Sequence, residues 1–389
     1  MAQVLINQKG FQRLRSGHPW IFRSDIPSLE QESPEPGSIV AVLGPGEKFL
    51  GQAFCNPRSQ ITIRILTRGQ EPINQEFWKR RIEASIARRG AQARERTQAV
   101  RLIHGESDGL PSVILDRYAD ILVFQTLSAG ADRLKETFLE IFEEVLKPSG
   151  IVERNDAPVR DLEGLVKQKG IVRGNLPQPL FVKEGGNLLS VDPLEGQKTG
   201  IFLDQAENHL TAQRYAKGRV LDLFSYQGGF ALAAASVAKE VLAVDSSAPA
   251  LAALQENLSR NNITNVTTWE ANGFDFLREC DERKETFDAV ILDPPPFVRD
   301  KKNVIGAVRG YKEINLRALK LLKPGGILIT CSCSQNFTPE MFEETLKEAS
   351  RDTRRELQVL ERRGAAPDHP VLLTFPESNY LQCWILRVL

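Results

Sequence analysis

The sequence predicts a multidomain protein in which a small β-rich barrel and an α+β unit precede a doubly wound, largely parallel α/β domain. Three observations predict this fold. The chain has 389 residues, 41% hydrophobic and 26% charged, which suits two or three soluble domains. Its first part holds short β-type runs between Gly and Pro residues. From about residue 186, short apolar runs alternate with helical stretches. We therefore place the domains at residues 1–74, 75–185 and 186–389.

Composition limits where the protein acts and what it binds. The first residues lack the apolar core of a signal peptide, and no stretch approaches the roughly 18 apolar residues that span a bilayer. The five cysteines are odd in number and mostly far apart, which indicates reduced thiols. The four histidines show no zinc-like spacing. We expect a cytoplasmic protein with no membrane partner and no metal site.

Two stretches in the first half of the chain are candidates for RNA contact. Residues 17–22, Gly-His-Pro-Trp-Ile-Phe, carry aromatic rings that either stack on bases or, more often, belong to a core. Between residues 76 and 101, eight lysines and arginines accompany three glutamates. This excess predicts a basic helix that either steers a phosphate backbone towards the protein or forms an ordinary solvated face.

The remaining elements follow from hydrophobic periodicity. In the α+β unit, strands are predicted near residues 112–115, 121–127, 151–153 and 170–172, with a helix over residues 132–146. In the last domain, strands are predicted at residues 220–224, 240–244, 289–292 and 327–330, with helices over residues 230–238 and 249–261. Ligands of such a sheet belong at the carboxyl ends of its strands.

Polar residues and glycines follow the first strands of this sheet, where a nucleotide-like cofactor binds. Asp222 ends the first strand, and Phe224 and Gly228 belong to the loop that leads into the next helix. Asp245 ends the second strand, where a carboxylate accepts hydrogen bonds from a ribose diol. S-adenosylmethionine fits better than a dinucleotide, because the loop is not GxGxxG and offers little to a pyrophosphate. Asn272 follows the third strand, where its amide either contacts adenine or belongs to an ordinary turn.

The segment Asp-Pro-Pro-Pro-Phe at residues 293–297 is the predicted grip for a planar substrate base. Its prolines keep the backbone extended and lack donors, which leaves the carbonyls of Pro294 and Pro295 for the pocket. Asp293 can hydrogen-bond the amino and ring-nitrogen edge of cytosine, and Phe297 offers a stacking surface. The alternative is a rigid loop with a helix-capping aspartate.

Two thiols at the end of the next strand complete the predicted pocket. Cys331 and Cys333 are two residues apart, which directs both to one face of the strand. Methylation of carbon 5 of cytosine needs a thiolate that first adds at carbon 6, because carbon 5 alone is a poor nucleophile. Cys333 lies further towards the rim and is the preferred catalytic residue, with Asp293 as the acid that orients the base. The alternative for either thiol is an ordinary buried residue. The base that removes the carbon 5 proton is not assigned.

At these residues the chain resembles the RlmI-like family of bacterial 23S ribosomal RNA 5-methylcytosine methyltransferases, over nearly its whole length. The matching segments are residues 104–111 (HGESDGLP), 153–156 (ERND), 196–205 (GQKTGIFLDQ), 221–235 (LDLFSYQGGFALAAA) and 293–297 (DPPPF). The resemblance implies an N-terminal PUA-like RNA-binding domain, a central α+β (EEHEE) domain and a C-terminal Rossmann-like class I methyltransferase domain. It also implies 23S ribosomal RNA as the partner, while both a monomer and a homodimer stay open.

The resemblance assigns further residues to the site. It implies that four residues, Lys198, Thr199, Phe202 and Gln205, close over the cofactor beside Asp222, Asp245, Asn272 and Asp293, so that Asp293 contacts the cofactor as well as the substrate base. Six residues separate Gly326 from Cys333, which is the spacing of the nucleophile in the wider group of RNA 5-methylcytosine enzymes.

Some positions depart from the pattern of this family. Ala206 and His209 stand where the family is expected to carry arginines, and Asn272 stands where an aspartate is more usual. Residues 293–297 also lack the second cysteine of another RNA 5-methylcytosine branch, so thiol-assisted product release is not implied.

Two other functions are compatible with the same sequence. A methyltransferase acting on an exocyclic amine, such as guanine N2, needs the Asp-Pro-Pro-aromatic loop but no thiol. A non-catalytic RNA-binding assembly factor would keep the nucleotide fold without binding S-adenosylmethionine. The substitution Cys333→Ala separates the first from cytosine chemistry, and calorimetry with S-adenosylmethionine tests the second.

Overall fold

The computed structural model describes residues 1–27, 34–297, 304–334 and 336–389, with residues 91–96 described by their backbone only. The chain divides into two compact units. The first comprises Met1–Val182, Val191–Ile201 and Pro367–Ser378, and the second comprises Lys183–Ser190, Phe202–Ala366 and Asn379–Leu389. Within the described residues, the strands form two five-stranded sheets, a two-stranded sheet and a seven-stranded sheet. The predicted boundaries at residues 74 and 185 stay predictions.

The first sheet is a small β-rich body near the N-terminus. Its elements are β1 (Gln3–Leu5), α1 (Gln8–Arg15), β2 (Trp20–Ile21), β3 (Ser38–Leu43), β4 (Phe49–Cys55) and β5 (Ile63–Thr67). The strand order is β1-β3-β4-β5-β2, in which β1 and β3 are parallel and the other pairs are antiparallel. Val40 and Val42 are fully buried two residues apart, because alternate residues of a strand share a face.

The second sheet belongs to the central α+β region. Its elements are α2 (Gln75–Arg96), β6 (Ala99–His104), β7 (Val113–Tyr118), β8 (Ile121–Thr126), α3 (Ala129–Arg133), α4 (Lys135–Leu146), β9 (Gly150–Asn155), α5 (Val159–Glu163) and β10 (Gln168–Gly174). The strand order is β10-β9-β8-β7-β6. The strands and the long helix run in the order β7, β8, α4, β9, β10, with the short helix α3 before α4 and the short helix α5 between β9 and β10, and β6 adds a strand at the edge. Phe138 and Phe142 of α4 are fully buried, and the ring of Phe142 lies 5.1 Å from that of Phe124 in β8.

The basic stretch forms α2, but its arginines are used within the first unit. Arg89 donates to both carboxylate oxygens of Asp108 at 2.6 Å, and Arg88 donates to the same group at 2.9 Å. Arg101 is not helical, because it lies in β6, where it donates twice to the buried Asp116 at 2.7 Å. The side chains of Arg94 and Arg96 lie outside the described residues. These pairs favour a structural role over phosphate steering, since a paired cation attracts phosphate less.

The aromatic residues near residue 20 also pack within the first unit. The ring centroids of Trp20 and Phe375 are 4.5 Å apart. Trp20 Nε1 donates to Glu106 Oε1 at 2.7 Å, so the segment at residues 104–111 helps to fix this ring. This packing favours the interpretation of residues 17–22 as core.

The second unit contains the doubly wound sheet. Its elements are β11 (Leu180–Glu184), β12 (Asn187–Val191), α6 (Ala206–Ala212), β13 (Gly218–Leu223), α7 (Gly229–Ala235), β14 (Ala238–Asp245), α8 (Ala248–Arg260), β15 (Val266–Glu270), α9 (Gly273–Glu282), β16 (Phe287–Leu292), α10 (Val304–Leu321), β17 (Leu322–Ser332), α11 (Pro339–Thr353), β18 (Leu357–Arg363) and β19 (Gln382–Val388). Parts of β11 and β12 belong to the first unit.

The seven-stranded sheet confirms the predicted class, with strand order β15-β14-β13-β16-β17-β19-β18. The strands from β15 to β17 are parallel, and β19 is antiparallel to both its neighbours. One predicted helix end is wrong, because α7 stops at Ala235 and Ala238 already begins β14. The parallel strands bring the carboxyl ends of β13, β14, β16 and β17 to one edge of the sheet.

None of the helices within the described ranges combines the length and the apolar character needed to cross a bilayer. In the same ranges, no group of three or more His, Cys, Asp and Glu residues is arranged to hold a metal ion.

Candidate active site

Asp222 is a buried carboxylate at the end of β13. Its side chain is fully buried, and neither oxygen has a hydrogen bond of regular geometry among the described residues, although the backbone amide of Ala231 is near enough to lower its pKa. Burial and then the neighbouring carboxylate of Asp293 outweigh this amide and raise the pKa of Asp222 to about 7, and Asp245 adds to this effect. A buried acid with so little hydrogen bonding is costly, which favours a role in the site over a role in the fold.

The loop after β13 needs glycine at two positions. Gly228 has a φ of +87°, and a Cβ there would lie 2.2 Å from a methyl group of Leu254. A Cβ on Gly229 would lie 2.2 Å from Cε1 of His209. Phe224, with a φ of +66°, packs beneath Gly273, whose Cβ would lie 2.7 Å from the Phe224 ring. The two glycines, called the glycine cradle below, therefore let the loop pack closely against Leu254 and His209 at the start of α7, and its predicted contact with a cofactor stays a prediction.

Asp245 and Asn272 lie at the ends of β14 and β15 and bind backbone amides. Asp245 accepts from the amides of Tyr226 and Ser247, each at 2.9 Å. It is half-buried, and a carboxylate has capacity for further hydrogen bonds, so its predicted contact with a ribose stays a prediction. Asn272 is the exposed cap of α9 and accepts from the Phe274 amide at 3.0 Å. Any contact of Asn272 with adenine would therefore fall to its amide nitrogen.

A chain of hydrogen bonds orients Asp293. Gln205 Nε2 donates to Asp293 Oδ1 at 2.9 Å, and Asn208 Nδ2 donates to Gln205 Oε1 at 2.7 Å. Arg363 Nε in turn donates to Asn208 Oδ1 at 3.0 Å. Because Gln205 is only 2% exposed, its amide has a fixed direction, and it aims one oxygen of Asp293. The resemblance implies that Gln205 closes over the cofactor, which stays a prediction, and this contact also makes it a support of the acid.

Cys333 and the proline segment meet at the same edge of the sheet. Cys333 Sγ lies 3.8 Å from the carbonyl oxygen of Pro294, which is buried, while Pro295 is exposed. Phe297 is half-buried, and its ring centroid lies 5.6 Å from that of Phe274 and 4.7 Å from that of Tyr311. One side of Phe297 is thus used for packing, and its predicted stacking on a base stays a prediction.

The two thiols differ in their surroundings. Of the five cysteines, all of which lie in the described ranges, Cys333 alone is not buried. Cys331 is opposite Cys383 in the β17–β19 pair, and its pKa is raised well above the ordinary value by burial and by Cys383. A buried thiol with a raised pKa is a poor nucleophile, so the environment of Cys331 fits a packing role.

His209 is a buried histidine of the site that the sequence marked only as a departure. Its Nδ1 lies 2.7 Å from Glu184 Oε1, and its ring packs against Phe230 at 4.6 Å. Burial alone lowers the pKa of His209, but Glu184, assisted by Asp293 and Asp222, outweighs burial and raises it. The signal in the sequence was the exchange of an expected arginine for histidine, which is positively charged when it is protonated.

Three other predicted residues have different surroundings. The ring of Phe202 lies 5.2 Å from that of Tyr226, within the second unit. Lys198 and Thr199 belong to the first unit, where the buried Thr199 donates to Asp116 at 2.5 Å. The hydroxyl of Thr199 is thus used by the central α+β region, and its contact with a cofactor stays a prediction.

The second unit's edge fits S-adenosylmethionine. This cofactor carries a positively charged sulfonium and an ammonium group. The protein residues that bind it must therefore offer negative charge and a stretch of backbone that the cofactor can approach. Asp222 supplies a buried carboxylate with little hydrogen bonding, and Asp245 and Asp293 add negative charge beside it. The glycine cradle supplies the backbone. These residues would hold the cofactor, which supplies an electrophilic methyl group.

Comparisons with known proteins agree with this site. A PUA-like domain matches residues 4–68, and an S-adenosylmethionine-dependent methyltransferase domain matches residues 177–375. The ribosomal RNA large subunit methyltransferase I of Shewanella denitrificans is 40% identical over 96% of both chains, and that of Erwinia tasmaniensis is 39% identical over 100% of both. The crystal structure of SMU.776 complexed with SAH has a TM-score of 0.88 at 22% identity over 100% of both chains, and it shows the fold alone.

These matches cover both ends of the chain and the predicted cofactor site. They confirm an N-terminal PUA-like domain, a class I methyltransferase domain and S-adenosylmethionine as the cofactor. The chain belongs to the ribosomal RNA large subunit methyltransferase I family of S-adenosylmethionine-dependent methyltransferases.

Proposed function

We propose that this methyltransferase converts one cytosine of 23S ribosomal RNA to 5-methylcytosine through a covalent adduct with Cys333. The observation that carries the proposal is the contact of Cys333 Sγ with the Pro294 carbonyl at 3.8 Å, directly after Asp293. An accessible thiol beside an oriented acid suits carbon 5 of a pyrimidine, whereas methyl transfer to an exocyclic amine needs no thiol.

In the proposed reaction, the thiolate of Cys333 bonds to carbon 6 of cytosine, and the ring electrons pass to carbon 5, which receives the methyl group. A base then removes the carbon 5 proton, and the bond between sulfur and carbon 6 breaks to regenerate the thiolate. Asp293, held by Gln205, hydrogen-bonds the amino and ring-nitrogen edge of the base. Pro294, Pro295 and Phe297 line the space for the ring.

The same proposal assigns RNA binding to the first unit. The relatives of this chain are named for ribosomal RNA of the large subunit, and the first unit contains the PUA-like domain. We propose that this domain and the central α+β region hold the RNA and present one flipped or single-stranded cytosine. Acting on ribosomal RNA, the enzyme works in the cytoplasm.

The experiment compares Cys333→Ala with Cys331→Ala, its buried neighbour in the same strand. Each enzyme is given 23S ribosomal RNA from cells lacking this protein, and modified cytosines are mapped by mass spectrometry. An RNA that carries 5-fluorocytidine reports the adduct, because the fluorine cannot leave and the complex persists on a denaturing gel. We expect Cys333→Ala to lose both signals and Cys331→Ala to keep the adduct. Formation of 5-methylcytosine by Cys333→Ala contradicts the proposal, and methyl groups on guanine N2 support exocyclic-amine chemistry instead.

A further inference from the structure

Tyr311, in the middle of α10, contacts both parts of the reacting edge. Its hydroxyl lies 3.0 Å from Ser334 Oγ, one residue after Cys333. Its ring centroid lies 4.7 Å from that of Phe297, at the end of the proline segment. One side chain therefore joins the residue next to the thiol to the residue that ends the base-gripping loop.

The hydroxyl of Tyr311 contacts the chain at the residues on either side of the thiol, Ser332 and Ser334, while Cys333 itself contacts the carbonyl oxygen of Pro294. Tyr311 is fully buried, and Ser334 is 1% exposed, so water does not compete for their hydrogen bond. Regular pairing of β17 with β19 ends at Ser332, and the chain beyond it lacks that support.

We propose that Tyr311 is a positioning residue that holds Cys333 at its distance from the proline segment. The inference rests on the proposed role of Cys333 as the nucleophile. The hydrogen bond to Ser334 fixes the chain after β17, which carries Cys333. The ring contact with Phe297 fixes the proline segment at residues 293–297, which faces the thiol. The rate at which the thiol bonds to carbon 6 of a base held by the proline segment depends on this separation, since small displacements of reacting groups slow a reaction strongly.

The ring and the hydroxyl of Tyr311 have separable functions. The ring stacks on Phe337 at 4.7 Å with an interplanar angle of 11°, and this packing persists in Tyr311→Phe. Burial raises the pKa of Tyr311 to about 12, so the hydroxyl is a neutral hydrogen-bonding group at physiological pH. The hydroxyl of Tyr311 also lies beside that of Ser332, so Tyr311→Phe removes its bonds to both serines, whereas Ser334→Ala removes the bond to Ser334 and leaves the aromatic core in place.

The test is a double-mutant cycle with Tyr311→Phe, Ser334→Ala and the double variant. Thr330→Val is the matched control, because Thr330 lies on the same face of β17 as Ser332 and its buried hydroxyl has no partner among the described residues. The measurements are the rate of adduct formation with 5-fluorocytidine RNA, the rate of single-turnover methyl transfer, and the Kd for S-adenosylmethionine by calorimetry.

We expect each single variant to slow adduct formation by about tenfold, and the double variant to be no more than about twofold slower than either. Cofactor affinity and the rates of Thr330→Val should stay within about twofold of the wild type. A wild-type rate in Tyr311→Phe, additive losses in the double variant, or equal slowing by Thr330→Val each overturns the proposal. An active Cys333→Ala enzyme instead refutes the proposed function, and the role of Tyr311 falls with it.

Discussion

Asp222 makes the folded enzyme less stable as the pH rises, and replacing it by asparagine tests this. Burial and then Asp293 raise its pKa to about 7 in the folded state. In the unfolded chain an aspartate titrates near about 3.9. Between these values the folded protein holds a proton that the unfolded chain has released. Raising the pH through this window therefore favours unfolding, and the loss is complete above the folded pKa.

The size of the effect follows from the difference between the two pKa values. About three units separate them, and each unit corresponds to about 1.4 kcal/mol, which gives up to about 4 kcal/mol. Solvent screening does not reduce this figure, because Asp222 is fully buried. Asp293 is the second cause of the shift, so part of the change belongs to the pair of carboxyl groups rather than to Asp222 alone.

Urea unfolding of the wild type and Asp222→Asn between about pH 4.5 and pH 8 measures the effect. We expect the free energy of unfolding of the wild type to fall relative to the variant as the pH rises, because asparagine cannot ionise. Asp288→Asn is the control without a slope in this range. Lys323 holds the pKa of Asp288 below its ordinary value, so the stability that Asp288 contributes is complete above about pH 3.9 and is lost only at lower pH. If the free energies of unfolding of the wild type and Asp222→Asn change in parallel with pH, the conclusion that burial raises the pKa of Asp222 is refuted.

Two further substitutions test the surroundings of the cofactor site. His209→Gln should lose stability mainly at low pH. The raised pKa of His209 adds stability that is complete below about pH 6.5 and disappears as the pH rises through the pKa of the folded state. The free energy of unfolding at pH 6 and at pH 9 measures this loss, and an equal loss at both values contradicts a charged pair of His209 and Glu184. Gly228→Ala should cost about 1–3 kcal/mol and weaken S-adenosylmethionine binding in calorimetry, because φ is +87° and Leu254 is in the way. Gly186→Ala is the control, because a Cβ there would lie in open space, and it should leave S-adenosylmethionine binding unchanged. Equal affinities of Gly228→Ala and Gly186→Ala for S-adenosylmethionine would contradict a role of Gly228 in cofactor binding.

The strands of the doubly wound sheet were predictable because burial on both faces leaves an unbroken apolar run. Residues 289–292 were predicted as a strand, and β16 spans Phe287–Leu292. Local charge counting failed for Arg101, which lies in β6 rather than in the basic helix. Its partner Asp116 is 15 residues away in the chain, and such a pair becomes visible only when two strands align.

The positions of the residues at the edge of the sheet were predictable, whereas their protonation and their hydrogen bonds were not. Parallel topology places Asp222, Asp245 and Asp293 at neighbouring strand ends, so their proximity follows from the sequence. The protonation of Asp222 depends on burial by distant segments, and no local pattern encodes it. The partner of Thr199 is likewise 83 residues away, so the motif at residues 196–205 could not reveal that this hydroxyl is already bonded.

The cofactor half and the reacting half of the site share one electrostatic system. Asp293 raises the pKa of Asp222, while His209 lowers it. A cation bound beside Asp222 favours its ionised form, so cofactor binding should lower the pKa that Asp293 helps to raise. Asp293→Asn should therefore change the pH dependence of S-adenosylmethionine binding even if Asp293 touches only the substrate base. An effect of that substitution on cofactor affinity is thus no evidence of direct contact, and the adduct assay must decide the role of Asp293.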